Sequence, residues 1–310
     1  MTLRDRINNA LRSASGVEIV RAGTVDALRR DAQQARKRAA KARARNDALR
    51  DKVREARKEA RAQRSKHDKL LKYVRRQVWA IPPDYHPDMR WIWPKVQDRT
   101  MVDHMKLNYF LDAVRYVSSA GLEGDIVECG VWRGGAMLGC ALTLDSLGDH
   151  SRELYLYDTY EGMPEPTERD VHLWHGRTAT HELEKRTNNK APIWEPGLIE
   201  DVQAAFDESS YPREKLHFVK GKVEETIPAT APEKIAILRL DTDWYESTRH
   251  ELEHLYPRLV PGGILIIDDY GSWQGSRDAT DEYFAEHPEP IFLVRTSKGR
   301  AGVKPGLAHG

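Results

Sequence analysis

The 310-residue chain is 40% apolar and 31% charged, enough for one large α/β domain plus an appendage, and its net charge of +1 conceals two parts of opposite sign. Between Arg21 and Arg76 stand 21 Lys or Arg against 7 Asp or Glu, a net of +14 that leaves −13 for the remainder. Two cysteines, Cys129 and Cys140, make neither a disulfide framework nor a zinc site, and no long apolar run or secretory leader occurs, so a cytoplasmic chain without a spanning helix is expected.

Residues 1–20 form a separate segment in which Leu3, Ile7, Ala10, Leu11 and Ala14 share one helical face. Such a face packs on a partner or lies on a membrane surface; packing is the simpler expectation. Residues 21–76 read as a basic coiled coil. A 3,4 spacing runs unbroken from Val25 to Val74, with Val25, Asn46, Val53 and Val74 at a and Leu28, Leu49 and Leu70 at d. β-branched a positions, Leu at d and one Asn at a favour a parallel dimer, so a homo-oligomer is expected. The basic faces also fit an anionic glycan or the inner surface of a membrane; nucleic acid is not expected.

Residues 77–99 change character, with four prolines and the tryptophans Trp79, Trp91 and Trp93, and read as a linker lying against the domain. Val102, Met105, Tyr109, Phe110, Ala113, Val114 and Val117 then trace a helical face that stops at Gly121.

Residues 100–310 carry the chemistry. In GDIVECGVWRGGAMLGCAL a strand, a glycine-rich turn (Glu128, Gly130, Gly134) and a helix make the first unit of a nucleotide-binding α/β fold. The acid at the strand end would repel a pyrophosphate and suits a cationic or hydroxylated ligand. The next strand, LYLYD, ends in Asp158, placed to accept hydrogen bonds from a ribose. Capping the following turn is its structural alternative. The stretch from Glu161 to Pro212 is long and polar, as expected of a lid or substrate loop. Two later apolar runs, IAILRL and GGILII, stop at Asp241 and Asp243 and at Asp268 and Asp269. If these strands are neighbours, four carboxylates crowd one crevice and call for a hard divalent cation. The alternative is four separate turn or helix caps.

ECGVWRGG, YDTYEGMPEP, LRLDTDWYEST and HLYPRLVPGGILIIDDYG together resemble the macrocin O-methyltransferase family, over a span from about Arg99 to the C-terminus. The resemblance implies a Rossmann-like class I methyltransferase sheet with helices on both faces and a C-terminal antiparallel hairpin, here preceded by the long helix. It implies S-adenosylmethionine as cofactor, Mg²⁺ as metal and a sugar hydroxyl as acceptor. Carried over by position, Asp241, Asp268 and Asp269 match the metal ligands and Asp243 a candidate base. Thr100, Met101, Glu128, Gly130, Gly134, Asp158, Gly221 and Lys222 match the cofactor site, with Lys222 standing where the family has Trp. A catechol offers the same pair of chelating oxygens as a sugar diol. The rival from another class is a non-catalytic scaffold binding polyanion through the coil.

Overall fold

A computed structural model describes residue 5 and residues 22–78, 81–189, 196–288 and 290–306. The N-terminal face from Leu3 to Ala14, Trp79, and the side chains of Val25, Leu28, Leu70 and Val74 lie outside the described residues. The chain divides into two compact units, Met1–Ala80 and Ile81–Gly310. In the first, α1 (Ala22–Val78) is one helix of 57 residues, about 85 Å long at ~1.5 Å per residue. Its Ala, Arg, Lys and Gln content favours helix, and no proline interrupts it. Every side chain from 30 to 69 is exposed, including the seam residues Leu49 and Val53 at 50% each. Among the described residues no helix is long and apolar enough to cross a membrane.

The second unit is a seven-stranded sheet covered on both faces. The strands are β1 (Asp125–Cys129), β2 (Leu154–Asp158), β3 (Leu216–Lys220), β4 (Ile235–Leu240), β5 (Leu259–Ile267), β6 (Val294–Thr296) and β7 (Gly299–Val303). They lie in the order β3-β2-β1-β4-β5-β7-β6. The first five are parallel; β7 pairs antiparallel with β5 and with β6. The expected closing hairpin is therefore present, but it turns at Ser297 and Lys298 and its second strand begins at Gly299.

Alternate side chains of each buried strand serve opposite cores, as the period of two requires. Ile126, Leu156, Ile237 and Ile266 pack under α2 (Met89–Val96), α3 (His104–Ser119) and α4 (Gly135–Leu147). Val127, Leu238, Leu265 and Ile267 pack against α8 (Tyr245–Leu255) and α9 (Gln274–Glu286). Between these sets in chain order come α5 (Ala179–Asn189), α6 (Ile199–Ala205), whose Val202 and Ala205 join the first core, and α7 (Val223–Thr226), whose Val223 joins the second.

Part of the Pro/Trp-rich segment is core. Met89, Ile92, Trp93 and Val96 of α2 are buried, whereas Trp91 is 41% exposed. On α3 the buried face is Leu107, Phe110, Leu111, Val114 and Val117, and Met105 points outward at 47% exposure. Five of the seven residues of the expected face, Val102, Phe110, Ala113, Val114 and Val117, are buried, and Lys106, next to the outward Met105, reaches inward to Asp268.

Candidate active site

The order of strands reverses between β1 and β4: the chain winds outward from β1 to β3, then crosses back to β4 and β5. Open sheets bind ligands at the C-terminal ends of their strands beside such a reversal. A cavity of about 360 Å³ lies there. Of the twelve residues singled out from the sequence, Gly134 is absent from its lining and the other eleven are present.

Gly130 explains how the β1 turn and the tip of β4 come together. Its φ is 85°, in the left-handed region, and a Cβ there would sit 2.1 Å from the Asp241 carbonyl oxygen. Only glycine lets the two backbones approach so closely. Gly134 (φ 74°) starts α4 from beneath the site, where a Cβ would meet Val202 at 2.6 Å.

Asp158, at the end of β2, organises the β2 side of the cavity. Its Oδ2 accepts the Trp132 N–H at 2.8 Å and its Oδ1 the Tyr160 N–H at 2.8 Å. The Thr159 hydroxyl reaches Oδ1 as well, at 3.5 Å. Burial pushes the Asp158 pKa up, and the backbone donors Tyr160, Trp132 and Val131 with the Thr159 hydroxyl work against that rise. Gly221 closes the neighbouring turn by donating its N–H to the Asp158 carbonyl at 3.0 Å, and Lys222 follows as the exposed N-cap of α7. Thr100 and Met101 line the cavity from the turn before α3, Met101 being 49% exposed.

The metal candidates come from two adjacent parallel strands, β4 and β5, as required. Asp241, Asp268 and Asp269 each offer a carboxylate oxygen within 4.8 Å of the others. Asp243 stands beside them with a φ of 67°, strained for a residue with a side chain. It shares a carboxyl–carboxyl hydrogen bond with Asp269, which requires a proton on one of the two.

Arg239 is a residue that the sequence reading passed over. It is 2% exposed, and its guanidinium binds Glu128 Oε1, Asp241 Oδ2 (2.9 Å) and Asp268 Oδ1 (2.9 Å). The signal was one charge inside an apolar strand, IAILRL. Lys106 of α3 supplies a second cation, its Nζ on Asp268 Oδ2 and on the Asp268 carbonyl at 3.1 Å. No local pattern announced it.

Five carboxylates thus face two cations. Burial also works against ionisation at Asp268, but Arg239 and Lys106 outweigh it and hold the group down at about 2. Burial pushes Asp241 and Asp269 well up, and raises Glu128 and Asp243 to about 7 each, the latter with help from the Asp241 charge. Protons therefore do what further positive charge could do. Two buried oxygens accept no hydrogen bond from the protein: Glu128 Oε2, on β1, and Asp269 Oδ2, in the carboxylate cluster. Orphaned acceptors aimed at a cavity and an all-oxygen donor set fit a polar organic ligand and a hard divalent cation.

The stretch from Glu161 onward, expected as a lid or substrate loop, contributes to the wall of the cavity. Asp170 is fully buried and accepts the backbone N–H of Thr167 (2.7 Å) and of Tyr245 (2.8 Å), the first residue of α8. Trp244 Nε1 donates to the Pro164 carbonyl at 3.0 Å, and His172 bridges to Trp273. Met163, Pro164, His172 and Trp273 consequently line the cavity.

A doubly wound sheet with this order, a strand-end acid on β2 and an acid-rich β4–β5 tip define a Rossmann-like class I methyltransferase. The fold compares with that of the O-methyltransferase NovP at a TM-score of 0.59 and 28% identity, over 67% of this chain and 83% of that one. The calicheamicin methyltransferase CalS11 shares the fold at a TM-score of 0.50 and 19% identity, over 77% and 92% of the two chains. More particularly, the chain belongs to the macrocin O-methyltransferase family, whose model matches residues 29–294. The match starts inside α1, well before the Arg99 at which the motifs begin. The 8-demethyl-8-(2,3-dimethoxy-α-L-rhamnosyl)-tetracenomycin-C 4′-O-methyltransferase of Streptomyces olivaceus is 37% identical over 191 residues, 62% of this chain and 69% of that one. The mycinamicin III 3″-O-methyltransferase of Micromonospora griseorubida is 32% identical over 188 residues, 61% and 71% of the two chains.

Proposed function

We propose that this chain transfers the methyl group of S-adenosylmethionine to a hydroxyl of a sugar-bearing acceptor, with assistance from a divalent cation such as Mg²⁺. The observation that carries the reading is the meeting of Asp158, Glu128 and the Asp241, Asp268, Asp269 cluster around one cavity. A relative whose name specifies a rhamnosyl-bearing acceptor supports a sugar rather than a catechol.

Asp158, a strand-end acid lining the cavity, is placed to accept from the ribose, and Glu128 Oε2 suits the cationic end of the donor. Asp241, Asp268 and Asp269 would hold the cation, which when bound makes a neighbouring hydroxyl easier to deprotonate. Asp243, raised to about 7, is poised near neutrality to take that hydroxyl proton as the methyl passes from sulfur to oxygen. Arg239 and Lys106 fix the orientation of Asp268, so that the cluster is assembled before any ligand arrives.

Incubation with methyl-labelled cofactor and a panel of rhamnosyl, other glycosyl and catechol acceptors tests the reading. Label is expected on a sugar oxygen, lost on treatment with EDTA and regained with Mg²⁺. Transfer undiminished by complete chelation overturns the metal role, and label confined to catechols overturns the acceptor.

A further inference from the structure

Helix α1 has no part in the chemistry above, and its charges are not arranged as a solvated helix requires. The seam residues favour a parallel pair of helices, but the flanking positions e and g decide which pair. Between residues 36 and 66 position e is Arg in every heptad: Arg36, Arg43, Arg50, Arg57 and Arg64. Position g is Arg38, Arg45, Lys52, Glu59 and Lys66. Nine of the ten flanking residues are cationic, and all are exposed. Among the described residues only Arg50 of the nine has a carboxylate within 4.0 Å, Asp47 at 3.8 Å. Of the four acids in this stretch only Glu59 is at a flanking position; Asp47, Asp51 and Glu55 sit at outer positions b, f and c.

A second copy of the chain fits this surface badly. In a parallel homodimer each g residue faces the e residue of the partner's next heptad, which sets Arg38 against Arg43, Arg45 against Arg50 and Lys52 against Arg57. Only Asp31 against Arg36 and Glu59 against Arg64, at the two ends of the stretch, attract. The antiparallel arrangement sets e against e, Arg against Arg throughout. Like charges directly across an interface select against the wrong partner. A bare polyanion fits no better, since it needs neither an apolar seam between the two basic rails nor three of four acids set on the outer face. The half-exposed Leu49 and Val53 and the single Asn46 at a would be idle.

We infer that α1 docks a helix of a different protein: an acidic amphipathic segment of about four heptads, with Glu or Asp flanking its own a and d seam. The small Ala-rich seam positions let the two backbones approach, the rails set the pairing, and Asn46 sets the register.

The test uses the full chain and two synthetic peptides of identical composition. One carries Glu at every e and g around an Ala, Leu and Asn seam matched to residues 32–67; the other is scrambled. The matched peptide is expected to bind at least about tenfold more tightly, and to weaken about tenfold or more between ~50 mM and ~500 mM NaCl. Equal binding of both peptides would make the helix a plain polyanion binder and overturn the inference. Self-pairing is read separately, by energy transfer between copies labelled through Ser65→Cys at an outer f position, the native cysteines being buried. Wild-type helices pairing with one another at low salt would also overturn it. The variant R36E/R43E/R50E/R57E/R64E turns most g-to-e contacts attractive and is expected to gain self-pairing. A variant that keeps its helical circular dichroism and gains no transfer refutes the role given to the rails.

Discussion

Replacing Arg239 with methionine removes one guanidinium and leaves three carboxylate oxygens, on Glu128, Asp241 and Asp268, facing the space it occupied. Arg239 is 2% exposed, so water does not take its place without cost. Breaking a buried ion pair by deleting one partner costs about 3–5 kcal/mol, because a charge is left uncompensated. Lys106 still holds Asp268, and Glu128 and Asp241 can take up protons, which argues for about 4 kcal/mol rather than a multiple of it. In a unit running from Ile81 to Gly310, 1 kcal/mol moves Tm by about 2–4 °C, so the R239M transition should fall by about 8–16 °C. Differential scanning calorimetry of the full chain in EDTA reads this directly. R239K should lie between wild type and R239M, since an ammonium is a point charge that cannot span three acceptors in a fork. An R239M transition within about 2 °C of wild type would refute the argument that this arginine neutralises the crevice.

Asp158→Asn should weaken S-adenosylmethionine binding by roughly tenfold to a hundredfold in isothermal titration, the worth of one or two charge-assisted hydrogen bonds; an unchanged Kd would remove Asp158 from the ribose. Gly130→Ala adds a Cβ 2.1 Å from a backbone oxygen at a φ of 85°, whereas Gly148→Ala, at φ 67°, has nothing within 4 Å. Urea midpoints should therefore show only about 1 kcal/mol lost at Gly148 and several-fold more at Gly130. Glu128 titrates near 7 in the folded chain against 4.5 for an ordinary Glu, because burial raises it. Between these values the native state binds more protons than the unfolded one, so stability in EDTA falls as pH rises through the window and levels off above about 7. Glu128→Gln removes this group's share, leaving a shallower slope from the remaining acids, and an unaltered slope in urea melts at pH 5 and pH 7 would contradict the shift. Asp243→Asn should abolish most methyl transfer while leaving cofactor affinity within about twofold, as expected for a proton acceptor that grips no ligand.

Much of this molecule could be read along the chain. The apolar runs that end in acids at Asp158, Asp241 and Asp268 mark strand tips because a buried strand stops where its side chains meet water or a ligand. The glycine turn after Glu128 and the helix Ala22–Val78 follow from backbone permissiveness and from periodicity, which are local properties. By themselves they determined the sheet, the long helix and seven of the residues that line the cavity; Thr100, Met101, Gly221 and Lys222 followed only from the family resemblance.

What neighbours what across the chain was decided only on folding. Lys106 reaches Asp268 over 162 residues, and Arg239 joins Glu128 over 111. Neither pairing leaves a trace in spacing, because an ion pair depends on where two elements cross and not on the period of either. The same holds for the stretch after Glu161, where polarity and length suggested a lid or substrate loop but not its anchor. Asp170, a single buried carboxylate bonded to the first turn of α8, ties it to the cavity wall. Hydrophobic patterning states which face of an element is buried; the partners of its buried charges exist only once the faces have met.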